Sequence, residues 1–183
     1  MSKLRFILTG GPGAGKTSLL NEFSRLGYSC SEEASRMIIR EQVLTGSDCL
    51  PWQNITCFSD LLFKRMADFY EESSETEIVF FDRGIPDLVG FMKYLKMPLS
   101  QEIMDAVPTY RYAPLVFMLP PWKEIYVNDP ERWQTFEESQ AIHAALRETY
   151  SGYGFDIAEV PLTDVGGRAQ YILSIISELT ATA

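Results

Sequence analysis

Eight residues near the start of the chain, Gly10-Gly11-Pro12-Gly13-Ala14-Gly15-Lys16-Thr17, satisfy every fixed position of G-x-x-x-x-G-K-[ST]. The pattern does chemical work only between a strand and a helix, and the flanks provide both. Leu4 to Thr9 is a compact apolar run, as in a buried strand. Lys16 to Leu26 carries Leu19, Leu20, Phe23 and Leu26 at helical spacing, and Gly27 closes it. Glycines let the backbone wind tightly enough to aim several N–H groups inward, and the helix N-terminus adds its dipole toward the same anion. Gly11, Gly13, Ala14, Gly15, Lys16, Thr17 and Ser18 are therefore expected to cradle a nucleoside triphosphate. Lys16 would reach the β- and γ-phosphates, and the Thr17 hydroxyl would face Mg2+.

Beyond this loop, short apolar runs alternate with helix-period stretches. Tyr28–Cys30, Ile78–Phe81, Leu115–Leu119 and Phe155–Val160 read as four further strands. Helices are expected after Ser31 as N-cap, over Ile55–Phe69, from Pro86 to Leu95 and over Gln101–Val107. Two more follow the Thr135/Glu138 capping box, to about Tyr150, and Asp164. Parallel strands need crossovers, so the order implies a three-layer α/β/α fold with a five-stranded, mostly parallel sheet. A chain of 183 residues without a Gly- or Ser-rich divider fits one domain, 1–183, with a lid-like insertion over about 122–150.

The formal net charge of −9 argues against a nucleic-acid or anionic-membrane partner. No apolar run reaches membrane-spanning length, and Met1–Leu8 is too short for a secretory signal. Cys30, Cys49 and Cys57 are odd in number and form no C-x-x-C, which reads as free, packed thiols in a reducing, cytoplasmic setting. His143 is the sole histidine, so a His-based zinc site is not expected. Oligomeric state is left open.

A second acidic element is needed for the metal. Ile78-Val79-Phe80-Phe81-Asp82 delivers a carboxylate at the carboxyl end of a buried strand, where ligands of such sheets bind. Asp82 is the expected partner of Thr17 on Mg2+, and Arg83 could clamp a phosphate or substrate; a plain surface Asp-Arg pair would look the same. No N-K-x-D and no D-x-x-G occurs, so ATP is the expected donor, with GTP open. Asp129-Pro130-Glu131-Arg132-Trp133 and Arg147 lie where a lid would close over the phosphates, exclude water and supply charge, Arg132 to the transferring group. These features favour phosphoryl transfer to a small-molecule hydroxyl or phosphate. The alternative is an ATPase or GTPase acting as a nucleotide-dependent switch for a protein or lipid.

GGPGAGKTSLL, SEEASR, FFDRGIPD and DPERWQTFEESQ together resemble the P-loop nucleoside and nucleotide kinase superfamily. Within it, they are similar to the predicted-ATPase branch that includes the ribosylnicotinamide kinase domain of the bacterial NAD-biosynthesis regulator. The resemblance spans nearly the whole chain and implies a nucleoside-like acceptor. It implies a catalytic base just after the second strand, at Glu32 or Glu33, with Asp82 the other candidate. The proline that follows this acid in deoxynucleoside kinases is Ala34 here. It also implies that Pro161–Val165 lies beside the adenine ring. Two glutamates in a first helical turn are equally favoured by the helix dipole alone. Arg36 would bind acceptor, pair with Asp82 or face solvent. Trp52, Phe58, Phe63, Phe69, Tyr70 and Phe91 are candidates for an acceptor pocket or for plain core.

Overall fold

A computed structural model describes residues 4–73, 78–127 and 134–181. Five strands form one sheet: β1 (Leu4–Gly10), β2 (Ser29–Cys30), β3 (Ile78–Asp82), β4 (Leu115–Leu119) and β5 (Asp156–Glu159). Their order is β2-β3-β1-β4-β5, and all four pairings are parallel. The first crossover, α1 (Lys16–Arg25), starts on the glycine loop. It is followed by α2 (Ala34–Thr45), α3 (Ile55–Glu72), α4 (Ile85–Tyr94), α5 (Gln101–Thr109), α6 (Phe136–Gly152) and α7 (Val165–Ala181).

Strand alternation divides the core. Phe6, Leu8, Phe80 and Phe117 face α1 and α7, where Phe23 stacks on Phe80 with ring centroids 4.0 Å apart. Ile7, Val79, Phe81, Val116 and Met118 face the opposite way, onto Ile142, Leu146 and Tyr150 of α6. A further cluster joins α2, α3, α4 and α5. Each fully buried large apolar side chain of this kind stabilises by about 1.5–3 kcal/mol. The sheet is central to both layers, so the carboxyl ends of β1 and β3 meet at one edge, with Leu8 opposite Asp82 in register.

Three expectations are corrected. Cys49 and Cys57 are not free thiols; they form a disulfide across the turn into α3, with Cα atoms 5.1 Å apart, and Cys30 alone is free. Ser31 does not cap α2. Its hydroxyl accepts the Asp82 N–H at 2.8 Å, tying β2 to the end of β3, and Glu33 takes the N-cap position. The 122–150 segment is not a single lid either. Its α6 part is a core helix, entered by the expected Thr135/Glu138 capping box and wholly buried at Leu146 and Tyr150. Arg147 faces outward and pairs with Glu159 at 2.8 Å. Asp129 to Trp133, including Arg132, lie outside the described residues.

Candidate active site

The loop after β1 is held from behind by residues far away in sequence. Gly13 has φ 77°, a left-handed conformation that favours glycine, and an added Cβ would sit 2.5 Å from the Tyr126 ring. Ser139 on α6 donates its hydroxyl to the Pro12 carbonyl at 2.7 Å. Arg168 on α7 donates to the Ala14 carbonyl at 3.0 Å and lies 5.3 Å from the Trp122 ring centroid. The loop is thus preset, and its amides need not be organised when an anion arrives.

A cavity of about 500 Å³ opens in front of it, within the range of small-molecule sites. Gly13, Gly15, Lys16, Thr17 and Ser18 line one end. Gly11 and Ala14 do not line it; Gly11 backs onto Ser139, and Ala14 is buried. Lys16 is buried, and its ammonium donates weakly to the Gly10 and Gly11 carbonyls, at 3.4 and 3.3 Å. Burial, with Arg83 acting in the same direction, lowers its pKa to about 8. A bound polyphosphate would offer this ammonium much better acceptors.

Asp82, Arg83 and Glu33 line the same cavity. Asp82 is buried, its Oδ1 has no hydrogen-bond partner, and burial raises its pKa to about 6 against the pull of Lys16. A buried, unsatisfied carboxylate oxygen is costly unless something binds it. With the Thr17 hydroxyl on the same cavity, it fits a magnesium ion, which takes one or two protein oxygens and completes its shell with phosphate and water. Among the described residues no cluster of three or more His, Cys, Asp or Glu side chains exists, so a protein-only metal cage is not available there.

Arg83 is held in an unusual backbone state, φ 70°, with its N–H on the Leu8 carbonyl at 3.0 Å. Its guanidinium donates to Asp87 Oδ1 at 3.0 Å. Glu33 lines the cavity while Glu32 is exposed, and Glu33 pairs with Arg36 at 2.9 Å, so Arg36 is turned to the cavity side rather than to open solvent. Of the six aromatic candidates, Phe58 and Phe91 line the cavity. Phe63, Phe69 and Tyr70 pack in the core clusters, and Trp52 is half exposed. After β5, Thr163, Asp164 and Val165 reach the cavity beside Arg168. His143 does not line it.

A family model described as an AAA domain matches residues 5–168. The chain belongs to this AAA domain family. No curated protein matches the chain. Solved structures do. Deoxyadenosine kinase from M. mycoides with bound dATP is similar at 16% identity and TM-score 0.64, over 95% of this chain and 100% of that one. A NadR protein in complex with NR is similar at 19% identity and TM-score 0.67, over 96% of this chain and 50% of that one. Shikimate kinase from Aquifex aeolicus is similar at 15% identity and TM-score 0.59, over 97% and 98%. The fold of this AAA domain chain is thus the P-loop kinase-like one that its motifs resemble. No helix among the described residues is long and apolar enough to cross a membrane.

Sequence reasoning missed Arg168, Ser139 and Asp87. Arg168 had a signal: it falls on the apolar face of α7, between Val165, Ala169 and Ile172, where a charge needs a partner. Asp87 had a partial signal, an acid four residues after Arg83 in the first turn of α4, but its bonds to Thr9 and Tyr150, like that of Ser139 to Pro12, join residues more than fifty positions apart and leave no local trace.

Proposed function

We propose that this chain is a magnesium-dependent phosphotransferase that moves the γ-phosphoryl group of ATP to a hydroxyl or phosphate of a small molecule of nucleoside size. One observation carries the reading: a single cavity joins the phosphate loop to Asp82, Arg83 and Glu33 and then continues past them, leaving room for an acceptor. A nucleotide switch has no use for that extra space. The kinases among the similar structures support the same reaction class.

In this scheme the amides of Gly13 to Thr17 and the Lys16 ammonium hold the phosphates. Magnesium, held by Thr17 and Asp82, would neutralise charge on them. Arg83, fixed by Asp87, stabilises charge on the group in transfer. Glu33 orients the acceptor hydroxyl and takes its proton as the oxygen attacks phosphorus. Tyr126 and Arg168, the latter against the Trp122 ring, brace the loop so that its amides stay aimed at the phosphates.

The test is incubation with magnesium and γ-labelled ATP or GTP, with and without a panel of nucleosides and other hydroxyl metabolites. Label appearing on an acceptor supports the reading. Slow hydrolysis that no acceptor changes, with a structural response to nucleotide, would replace it with a binding switch.

A further inference from the structure

We infer that the acceptor is an alcohol with an uncharged, apolar body, not a molecule recognised through a hydrogen-bonding base. This inference rests on the phosphotransfer reading and specifies its acceptor. Beyond Glu33 and Asp82 the cavity enters a chamber walled by Ile39 of α2, Phe58, Leu62 and Met66 of α3, and Leu88 and Phe91 of α4. All but Phe91 are buried.

The polar groups at this end are already engaged. Asp87 accepts from Thr9, Arg83, Gly84 and Tyr150. The Ser35 hydroxyl is turned toward Glu33, at 3.5 Å. Ser59, the buried hydroxyl of α3, donates to the Thr56 carbonyl at 2.8 Å and does not line the cavity. No Asn or His side chain lines the cavity among the described residues. Its single amide-bearing residue there, Gln134, accepts from the Tyr126 hydroxyl through its backbone carbonyl, and Tyr126 packs against Gly13, so Gln134 belongs to the phosphate end and not to the chamber. A nucleobase placed in the chamber would bury several donors and acceptors without partners, at a cost for each. An aromatic or branched aliphatic body would lose nothing and gain contact with Phe58, Leu62 and Met66. Its hydroxyl would lie at the charged mouth of the chamber, where Glu33 with its partner Arg36, Asp82 and Arg83 line the cavity.

The experiment compares thymidine with its 2,4-difluorotoluene isostere, which keeps the shape and both sugar hydroxyls but lacks the hydrogen-bonding edge. The full-length protein is first titrated with a non-hydrolysable ATP analogue and magnesium. Failure of that step counts against the phosphotransfer reading itself. With the analogue bound, each nucleoside is titrated by calorimetry, and label transfer from γ-labelled ATP is followed in parallel. The expected result is tighter binding and higher kcat/KM for the isostere, by about tenfold or more. Met66→Gln, which keeps the side-chain length and adds an amide to the wall, should narrow that gap. Equal or better use of thymidine overturns the inference. So does absence of isostere binding while the nucleotide analogue is bound.

Discussion

Tyr150, near the end of α6, donates its hydroxyl to Asp87 Oδ2, although the two residues are 63 positions apart in the chain. Asp87 is buried and also accepts from the Thr9 hydroxyl of β1, from the Gly84 N–H at 2.9 Å and from Arg83 at 3.0 Å. One carboxylate therefore joins β1, α4 and α6 and fixes Arg83, which lines the cavity beside the glycine loop. Burial and the nearby Asp87 charge raise the Tyr150 pKa well above its usual value, so the phenol remains a donor across the working range. Removing one partner of such a buried group leaves the others unsatisfied. Asp87→Asn is expected to destabilise by about 3–5 kcal/mol, and Tyr150→Phe by about 1–2 kcal/mol. Urea unfolding measures both. Tyr150→Phe should also lower kcat more than it changes nucleotide affinity, because Arg83 loses part of its support.

Gly13→Ala tests the loop itself. The new methyl would meet the Tyr126 ring, and φ 77° would be strained for alanine. The fold should survive, since the site lies at the edge of the sheet, but nucleotide affinity should fall by about tenfold or more. Titration with a fluorescent ATP analogue, alongside a thermal melt, separates the two effects.

The two shifted groups fix a pH window. Asp82 titrates near 6 because burial disfavours its charge, so it is largely protonated at pH 5 and unable to neutralise a cation. Lys16 titrates near 8, so above that pH the free protein loses the charge that attracts the phosphates. The kcat/KM profile, which reports the free enzyme, should therefore rise through about pH 6 and fall above about pH 8. Asp82→Asn should remove the acid limb along with most of the activity. A profile still flat from pH 5 to 9 would disconnect both groups from the reaction.

Much of this was legible in the sequence, and the boundary of legibility is physical. The glycine loop, the five strands and the position of Asp82 are local: each is set by consecutive residues whose period or conformational freedom is visible in a window of ten. Ser31 looked like a cap because a serine before two glutamates usually is one; only the sheet brings Asp82 N–H to its hydroxyl. The helix after Thr135 had the right cap and length, but its place in the core depends on Leu146 and Tyr150 meeting strands nearly 30 to over 140 residues distant. The Cys49–Cys57 bond likewise needs the turn that brings their Cα atoms to 5.1 Å.

That disulfide has its own test. A bond closing a loop of this length contributes about 2–3 kcal/mol on the chain-entropy estimate. Reduction should lower Tm by roughly 4–12 °C for a chain of this size. Thiol titration of unfolded protein should count one reactive group, Cys30, before reduction and three after it. Three groups before reduction would show that the pair is open under the conditions of isolation.

The central claim is that Lys16, Thr17 and Asp82 act as one site for a magnesium-bound triphosphate. Calorimetric titration of ATP into the purified protein, with magnesium and with chelator, tests it most directly. Wild type is expected to bind in the presence of magnesium and to lose much of that affinity in chelator. Lys16→Ala should bind about tenfold to a hundredfold more weakly, the loss of one charge-assisted contact. Equal affinity with and without magnesium, or an unchanged Lys16→Ala isotherm, would contradict the account.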